Sequence, residues 1–352
     1  MISGEDSTSV LCGFTVTGGT GTIIDIKDLP PSYAFVRTGG GILVIDGGCR
    51  IEHNIIRDIH MDFTLETYGG GVACYLASNE RTDQKNIIIQ NNSIMQNYLV
   101  SAEAAIGAGL YISVESAVSD YTGNIIIQDN LISHNNSSAA NVSMGPGIGI
   151  FMVLPTMNGE FAIRNNVITY NKNHSGKFNH GGGIYVVYWS SAADLNSSPL
   201  IYNNIIADNY SQHDGGGISV YAFHNIRKPG ISPKPVVINN TLVNNSAIKG
   251  PGLWTDTKAD PLLLNNIFWN NSTPTNTELS GVNSASIKYN NIRGYKYQDS
   301  KGNFGFDPGF TENSYELPEN SYCIGRGIDS IQVEGNWYYA PKRDHHGNVR
   351  PD

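Results

Sequence analysis
A glycine triplet followed by an apolar strand recurs seven times along this 352-residue chain. It reads Gly39-Gly40-Gly41-Ile42, Gly69-Gly70-Gly71-Val72, Gly107-Ala108-Gly109-Leu110, Gly145-Pro146-Gly147-Ile148, Gly181-Gly182-Gly183-Ile184, Gly215-Gly216-Gly217-Ile218 and Gly250-Pro251-Gly252-Leu253. The last glycines fall at 41, 71, 109, 147, 183, 217 and 252, so the steps are 30, 38, 38, 36, 34 and 35 residues. Self-similarity at such a period means a stack of repeating units, each burying its apolar face against its neighbours.

A second phrase keeps the same beat. An Asn pair flanked by apolar residues appears as Ile89-Gln90-Asn91-Asn92-Ser93-Ile94, Ile163-Arg164-Asn165-Asn166-Val167-Ile168 and Ile201-Tyr202-Asn203-Asn204-Ile205-Ile206. Ile127-Gln128-Asp129-Asn130, Asn239-Asn240, Asn265-Asn266 and Asn290-Asn291 continue the series. Period-two apolar spacing on both sides of the pair predicts two strands joined by a bend. The second Asn is expected to take the bend, since Asn tolerates a left-handed backbone. Stacked coil on coil, the Asn side chains can form a hydrogen-bonded ladder that satisfies buried polar groups. Helices fit poorly, because Gly, Asn and β-branched residues dominate and no long 3.6-residue periodicity appears.

These two phrases resemble those of the right-handed parallel β-helix repeat proteins, the architecture of pectate lyases and tailspikes, over roughly residues 10 to 300. The expectation is an all-β solenoid of about eight three-strand coils, a rod about 40 Å long, over residues 1–300, with a closing segment over 301–352. Asp307-Pro308-Gly309-Phe310, Tyr322-Cys323-Ile324-Gly325-Arg326-Gly327 and Asp344…Gly347…Arg350-Pro351 resemble the closing segment of bacterial secreted β-helix proteins. In those proteins it often precedes a sorting domain. The resemblance implies a secreted or cell-surface protein. The opening Met1-Ile2-Ser3-Gly4-Glu5-Asp6 reads as the middle of a coil, so a signal and further coils are expected upstream.

Net charge is −9, with 15 % charged residues. That argues against nucleic acid, which wants a basic stripe, and offers little to an anionic membrane surface. No apolar run is long enough to insert in a membrane. The four cysteines, Cys12, Cys49, Cys74 and Cys323, lack metal-ligand spacing. Buried free thiols are the simpler reading, with a Cys12–Cys49 disulfide as the alternative. No cofactor and no bound metal is expected, although calcium could occupy a loop.

In proteins of this fold the glycine phrase would open the front sheet, whose outer face the enzymes use for substrate. Alternation along the strands puts Ala73, Tyr111, Gly149, Tyr185, Ser219 and Trp254 outward in one row. Tyr75, Ser113, Phe151, Val187, Tyr221 and Asp256 form the next. Tyr75, Tyr111, Phe151, Tyr185, Tyr221 and Trp254 thus offer an aromatic strip for sugar rings. Tyr188 and Trp189, with the segment Phe223–Pro229, would wall the groove. The alternative is that these aromatics simply pack on one another.

The loops before the glycine phrases hold the best chemistry. His180, Asp214 and Lys249 each sit just before a phrase and should stack on successive coils, with His213 and Lys177 beside them. His, Asp and Lys together could supply base, acid and charge neutraliser, as a lyase acting on a uronic acid requires. Paired carboxylates for glycoside hydrolysis are not grouped by any motif, and the Asn-Thr-Asp, Asp-Asp and Gly-His-Gly signatures of polygalacturonase-like enzymes are absent. Asp344-His345-His346-Gly347 reads as a terminal turn. Three functions stay open: a polysaccharide lyase or glycoside hydrolase, a non-catalytic glycan-binding or adhesin module, and a structural fibre.

Overall fold
The computed structural model describes residues 2–3, 8–25, 35–77, 85–115, 121–153, 157–190, 198–224, 234–273, 277–296, 298–311 and 314–350. Met1, residues 4–6 and the 225–229 part of the expected groove wall lie outside them. The chain is a parallel β-solenoid whose coil count differs slightly from the eight expected. Among the described residues the only helical element is a single 3-10 turn at Ser284–Ser286, and no helix is long and apolar enough to cross a membrane.

Each middle coil carries five strands rather than three. In one coil they are Ile148–Val153, Phe161–Arg164, Val167–Thr169, Lys172–Ser175 and Phe178–His180. They belong in turn to a front, second, third, fourth and fifth sheet, with nine strands in each of the first three, five in the fourth and six in the fifth. The register is one coil to the next, as in Leu110↔Ile148 on the front sheet and Ile127↔Ile163 on the second. The expected strands on both sides of the Asn pair are the second and third sheets.

The main core fills the triangle of the first three sheets. Ile112, Ile127 and Ile132 stack below Ile150, Ile163 and Ile168, all at or near zero exposure. A fully buried Ile stabilises by about 1.5–3 kcal/mol, so this column supplies most of the driving force. A smaller core lies between the fourth and fifth sheets, with Met61, Leu99 and Ala105.

The bend differs from expectation by one residue. The residue before each ladder Asn takes the left-handed backbone: the first member of the pair at Asn91 (φ 53°), Asn165 (55°) and Asn203 (54°), and Tyr289 (55°) ahead of Asn290-Asn291. The Asn that follows points inward and forms the ladder, the second of the pair except at Asn290. Asn92 Nδ2 donates to Asn130 Oδ1 at 3.0 Å and to the Ile51 carbonyl at 2.8 Å, while its backbone N–H donates to Asn130 Oδ1. Asn130, Asn166, Asn204, Asn240, Asn266, Asn290 and Asn303 repeat the pattern. The ladder therefore passes residue 300 and ends on Asp299, which accepts from the Asn303 backbone N–H and from its Nδ2.

A second ladder, not expected, stands at the corner between the third and fourth sheets. Asn97, Asn135, Asn171, Asn209, Asn245 and Asn271 link in sequence. It ends on buried Glu278, whose Oε2 accepts from Asn271 Nδ2 at 2.6 Å. Its signal in the sequence is an Asn five residues after each first-ladder Asn, from Asn92 and Asn97 to Asn266 and Asn271.

The tail begins against the last coil, where Phe304 is bridged to Asn291 as a parallel neighbour. It runs along the outer side, pinned to the outward residues of the bends. Asn203 Nδ2 donates to the Arg343 carbonyl at 2.7 Å, Arg350 donates to Asn203 Oδ1 at 2.9 Å, and Asn265 exchanges two hydrogen bonds with Ile328. A hairpin, Ser330–Val333 with Asn336–Tyr339, lies within it. Asp344 accepts from the His346 and Asn348 N–H groups, so the Asp-His-His-Gly segment is a turn.

Candidate functional site
The expected outward rows exist in register: Tyr111↔Gly149, Gly149↔Tyr185, Tyr185↔Ser219 and Ser219↔Trp254. They do not form an open strip. The fifth sheet folds over them, and together they make a second core outside the solenoid lumen. Tyr111 and Tyr185 are 2 % exposed, and Tyr75 and Phe151 are also buried. Tyr68 of the fifth sheet stacks on Tyr111 at 5.0 Å between centroids. Ile106 fills the gap at Gly149, where a Cβ would lie 2.9 Å from its Cγ2. Packing on one another is thus the role of Tyr75, Tyr111 and Phe151.

Tyr188 is a plain correction. It belongs to the strand Ile184–Ser190 and faces the inner core at 1 % exposure, so it cannot wall a groove. Trp189, its neighbour, does point outward, stacked on Phe223 at 3.9 Å and near Phe151 at 5.9 Å.

The fifth sheet stops at His180, and there the aromatic rows come into reach of solvent. Gly181 makes the corner into the front strand at φ 63°, where a Cβ would lie 2.4 Å from the Ile184 carbonyl oxygen. The sharp turn aims the His180 ring back over the front sheet. Its centroid lies 5.9 Å from Tyr185, 5.9 Å from Tyr221 and 5.1 Å from Trp254. Tyr221 and Trp254, both half-buried, are near parallel at 6.2 Å and 11°.

His180, Asp214 and Lys249 do stack on successive coils, bridged as parallel neighbours. His180 Nδ1 approaches Asp214 Oδ2 at 3.5 Å. Among the described residues this buried nitrogen has no hydrogen-bond partner. Burial first, and the charge of His213 second, pull the imidazole down to about 4. The contact is therefore a neutral imidazole beside a carboxylate at neutral pH, not an ion pair. Burial raises the Asp214 carboxyl, opposed by Lys249 and His213. Asp256, two residues after Trp254, is also raised by burial despite N–H donors at Ala222, Lys258 and Ala259. Burial, then the Asp256 carboxylate, raises the Tyr221 phenol.

Of the remaining expected residues, His213 lies next to the cluster, its Nδ1 3.4 Å from Asn179 Nδ2. Lys249 is exposed at the rim. Lys177 is exposed in the turn between the fourth and fifth sheets, two residues before buried Asn179. The expected group thus assembles as His180, Asp214, His213 and Lys249, joined by Tyr221, Trp254 and Asp256.

A second titratable cluster lies at the other end of the same core. Glu66 is 1 % exposed, and its Oε2 accepts a hydrogen bond from Tyr68. Burial pushes its carboxyl up to about 7, Tyr68 opposes that, and Glu103 adds to it. Its strand, Glu66–Tyr68, has three residues and no alternation, so the sequence carried no signal for it. All four cysteines are free thiols; Cys49 and Cys74 are buried and Cys12 is exposed. Among the described residues no group of three or more His, Cys, Asp or Glu could hold a metal.

Comparison of the chain with known protein families, curated proteins and solved structures finds no match to it.

Proposed function
We propose that this solenoid is a polysaccharide-active protein of pectate-lyase-like, secreted, bacterial type, and that it takes sugar at the His180 end of the front sheet. One observation carries the reading: a buried His–Asp pair lies against the half-exposed Tyr221–Trp254 stack. Aromatic faces offer a platform for sugar rings. Closing of the 3.5 Å gap would let Asp214 hold the Nδ1–H and leave Nε2 as proton acceptor. The 3.5 Å separation suits a pair that tightens when substrate enters, as catalytic hydrogen bonds often do. Lys249 at the rim supplies positive charge for a developing anion.

Burial of Tyr75, Tyr111, Phe151 and Tyr185 restricts the contact to a few sugar units rather than a long tract. A non-catalytic glycan-binding module is the second reading, favoured by the deep burial of His180 itself. The test is incubation with plant, algal and animal polysaccharides, following ultraviolet absorbance of unsaturated uronate and new reducing ends. Absorbance abolished by His180→Ala supports a lyase; reducing ends alone, abolished by Asp214→Asn, support a hydrolase. Retarded migration in a glycan gel without product supports the binding module. Silence in all three assays refutes the glycan reading for those substrates.

A further inference from the structure
A cleft of 540 Å³ opens between the tail and the outer face of the second sheet, away from the front face. That volume falls in the range of small-molecule sites, about 300–1,000 Å³. One wall is a hydrogen-bonded chain along the sheet. Gln90 Nε2 donates to Glu52 Oε2 at 2.7 Å, Gln128 Nε2 donates to Gln90 Oε1 at 2.9 Å, and Arg164 Nε donates to Gln128 Oε1 at 2.7 Å. Arg164 Nη1 then donates to the Tyr202 hydroxyl at 2.6 Å.

The ends of this chain orient every amide in it. Glu52 can only accept and Arg164 can only donate, so each Gln is forced to point its oxygen toward Arg164. The hydrogens left over at the cleft are donors: the second Nε2 hydrogen of Gln128 and the Nη2 group of Arg164, which forms no hydrogen bond among the described residues, while Arg164 Nη1 also pairs with Glu160 Oε1 at 3.6 Å. The tail adds exposed Lys342 and Arg343 from the other wall. Of the nearby carboxylates, Glu160 is paired with Arg164, Asp344 accepts three N–H donors within its own turn, and Asp129 lies exposed at the rim. Below the donors the lining is apolar, formed by Leu200, Ile238 and the ring of Tyr202.

We propose that this cleft binds a small organic oxyanion, a carboxylate or phosphate carried on one apolar ring. The oxyanion would lie between the remaining Nη2 group of Arg164 and the Lys342–Arg343 pair, where charge-assisted hydrogen bonds are stronger than neutral ones. The ring would lie over Leu200 and Ile238. The site is independent of the His180 cluster, and its occupancy does not require that the protein act on glycans.

The test is calorimetric titration of the whole chain with phenyl phosphate, benzoate, inorganic phosphate and phenol. Phenyl phosphate or benzoate should bind at least about tenfold tighter than inorganic phosphate and phenol. Added salt should weaken the binding. Lys342→Ser with Arg343→Ser, both exposed, should lower the affinity by about tenfold or more without changing the melting temperature. Asn203→Gly keeps the left-handed bend while removing the tail's side-chain anchors, and it should weaken binding as well. His180→Ala should leave binding unchanged. Equal affinity for inorganic phosphate would overturn the apolar half of the assignment. Unaltered affinity in the double variant, or no binding of any of the four, would overturn the site.

Discussion
Asn, Gln, Tyr and His all occupy the left-handed position that opens each bend, and they do not cost the same. Gln96 is exposed there at φ 55°, and Tyr170 sits at 56°. A left-handed backbone costs an ordinary residue about 1–2 kcal/mol, and Asn or Gly less. Gln96→Asn should therefore raise stability by up to about 1 kcal/mol, measured by urea unfolding. His180 makes a different residue-scale prediction. If it is the proton acceptor, the acid limb of its rate profile should lie near 4, where burial has placed it, rather than at its ordinary 6.5. A limb near 6.5 would mean that burial does not hold the His180 imidazole neutral.

At the scale of elements, what was legible followed from periodicity. Ile163 and Ile168 announce the second and third strands because apolar alternation repeats on each coil. The stacking of His180, Asp214 and Lys249 followed from the same beat. The fourth and fifth sheets did not announce themselves. Asn136–Ala139 reads Asn-Ser-Ser-Ala, without strand formers, and its pairing is imposed by the coils above and below. Without the fifth sheet, alternation alone left the front aromatics facing water. Alternation fixes which face a side chain takes, not what later covers that face. The ladders invite a direct test. Asn171→Ala would strand the Asn135 N–H, one hydrogen of the Asn135 amide and the Ile132 carbonyl, while the Asn209 oxygen keeps the backbone N–H of residue 171. At about 1–3 kcal/mol per orphaned group, partly relieved by relaxation, a loss of about 3–5 kcal/mol is expected in denaturant unfolding.

For the whole molecule, buried acids set the pH dependence of stability. Burial raises Glu278 from its ordinary 4.5 to about 7, against the donors of Asn271 and the charge of Arg293. Its folded state thus holds a proton that the unfolded chain releases. The associated stability is complete below 4.5 and is lost as pH rises to about 7, about 3 kcal/mol in all. Glu66 acts with the same sign, and His180 with the opposite one, gaining stability between about 4 and 6.5. Glu278→Gln should therefore hold its stability from pH 4.5 to 7 better than the parent chain by about 3 kcal/mol, read from paired urea titrations. A constant gap between the two would show that Glu278 ionises freely.

The two Asn ladders also give the rod a direction. Every bond between ladder amides is donated toward the C-terminal coils, while the second amide hydrogen goes to a carbonyl of the coil before. The final donors meet Asp299 and Glu278, carboxyl side chains with no amide to carry the relay further. A further coil laid against that end would find carboxylates where it needs an amide to continue the relay. End-to-end growth is thereby closed at one pole by chemistry rather than by bulk, which leaves the tail at liberty to lie along the flank.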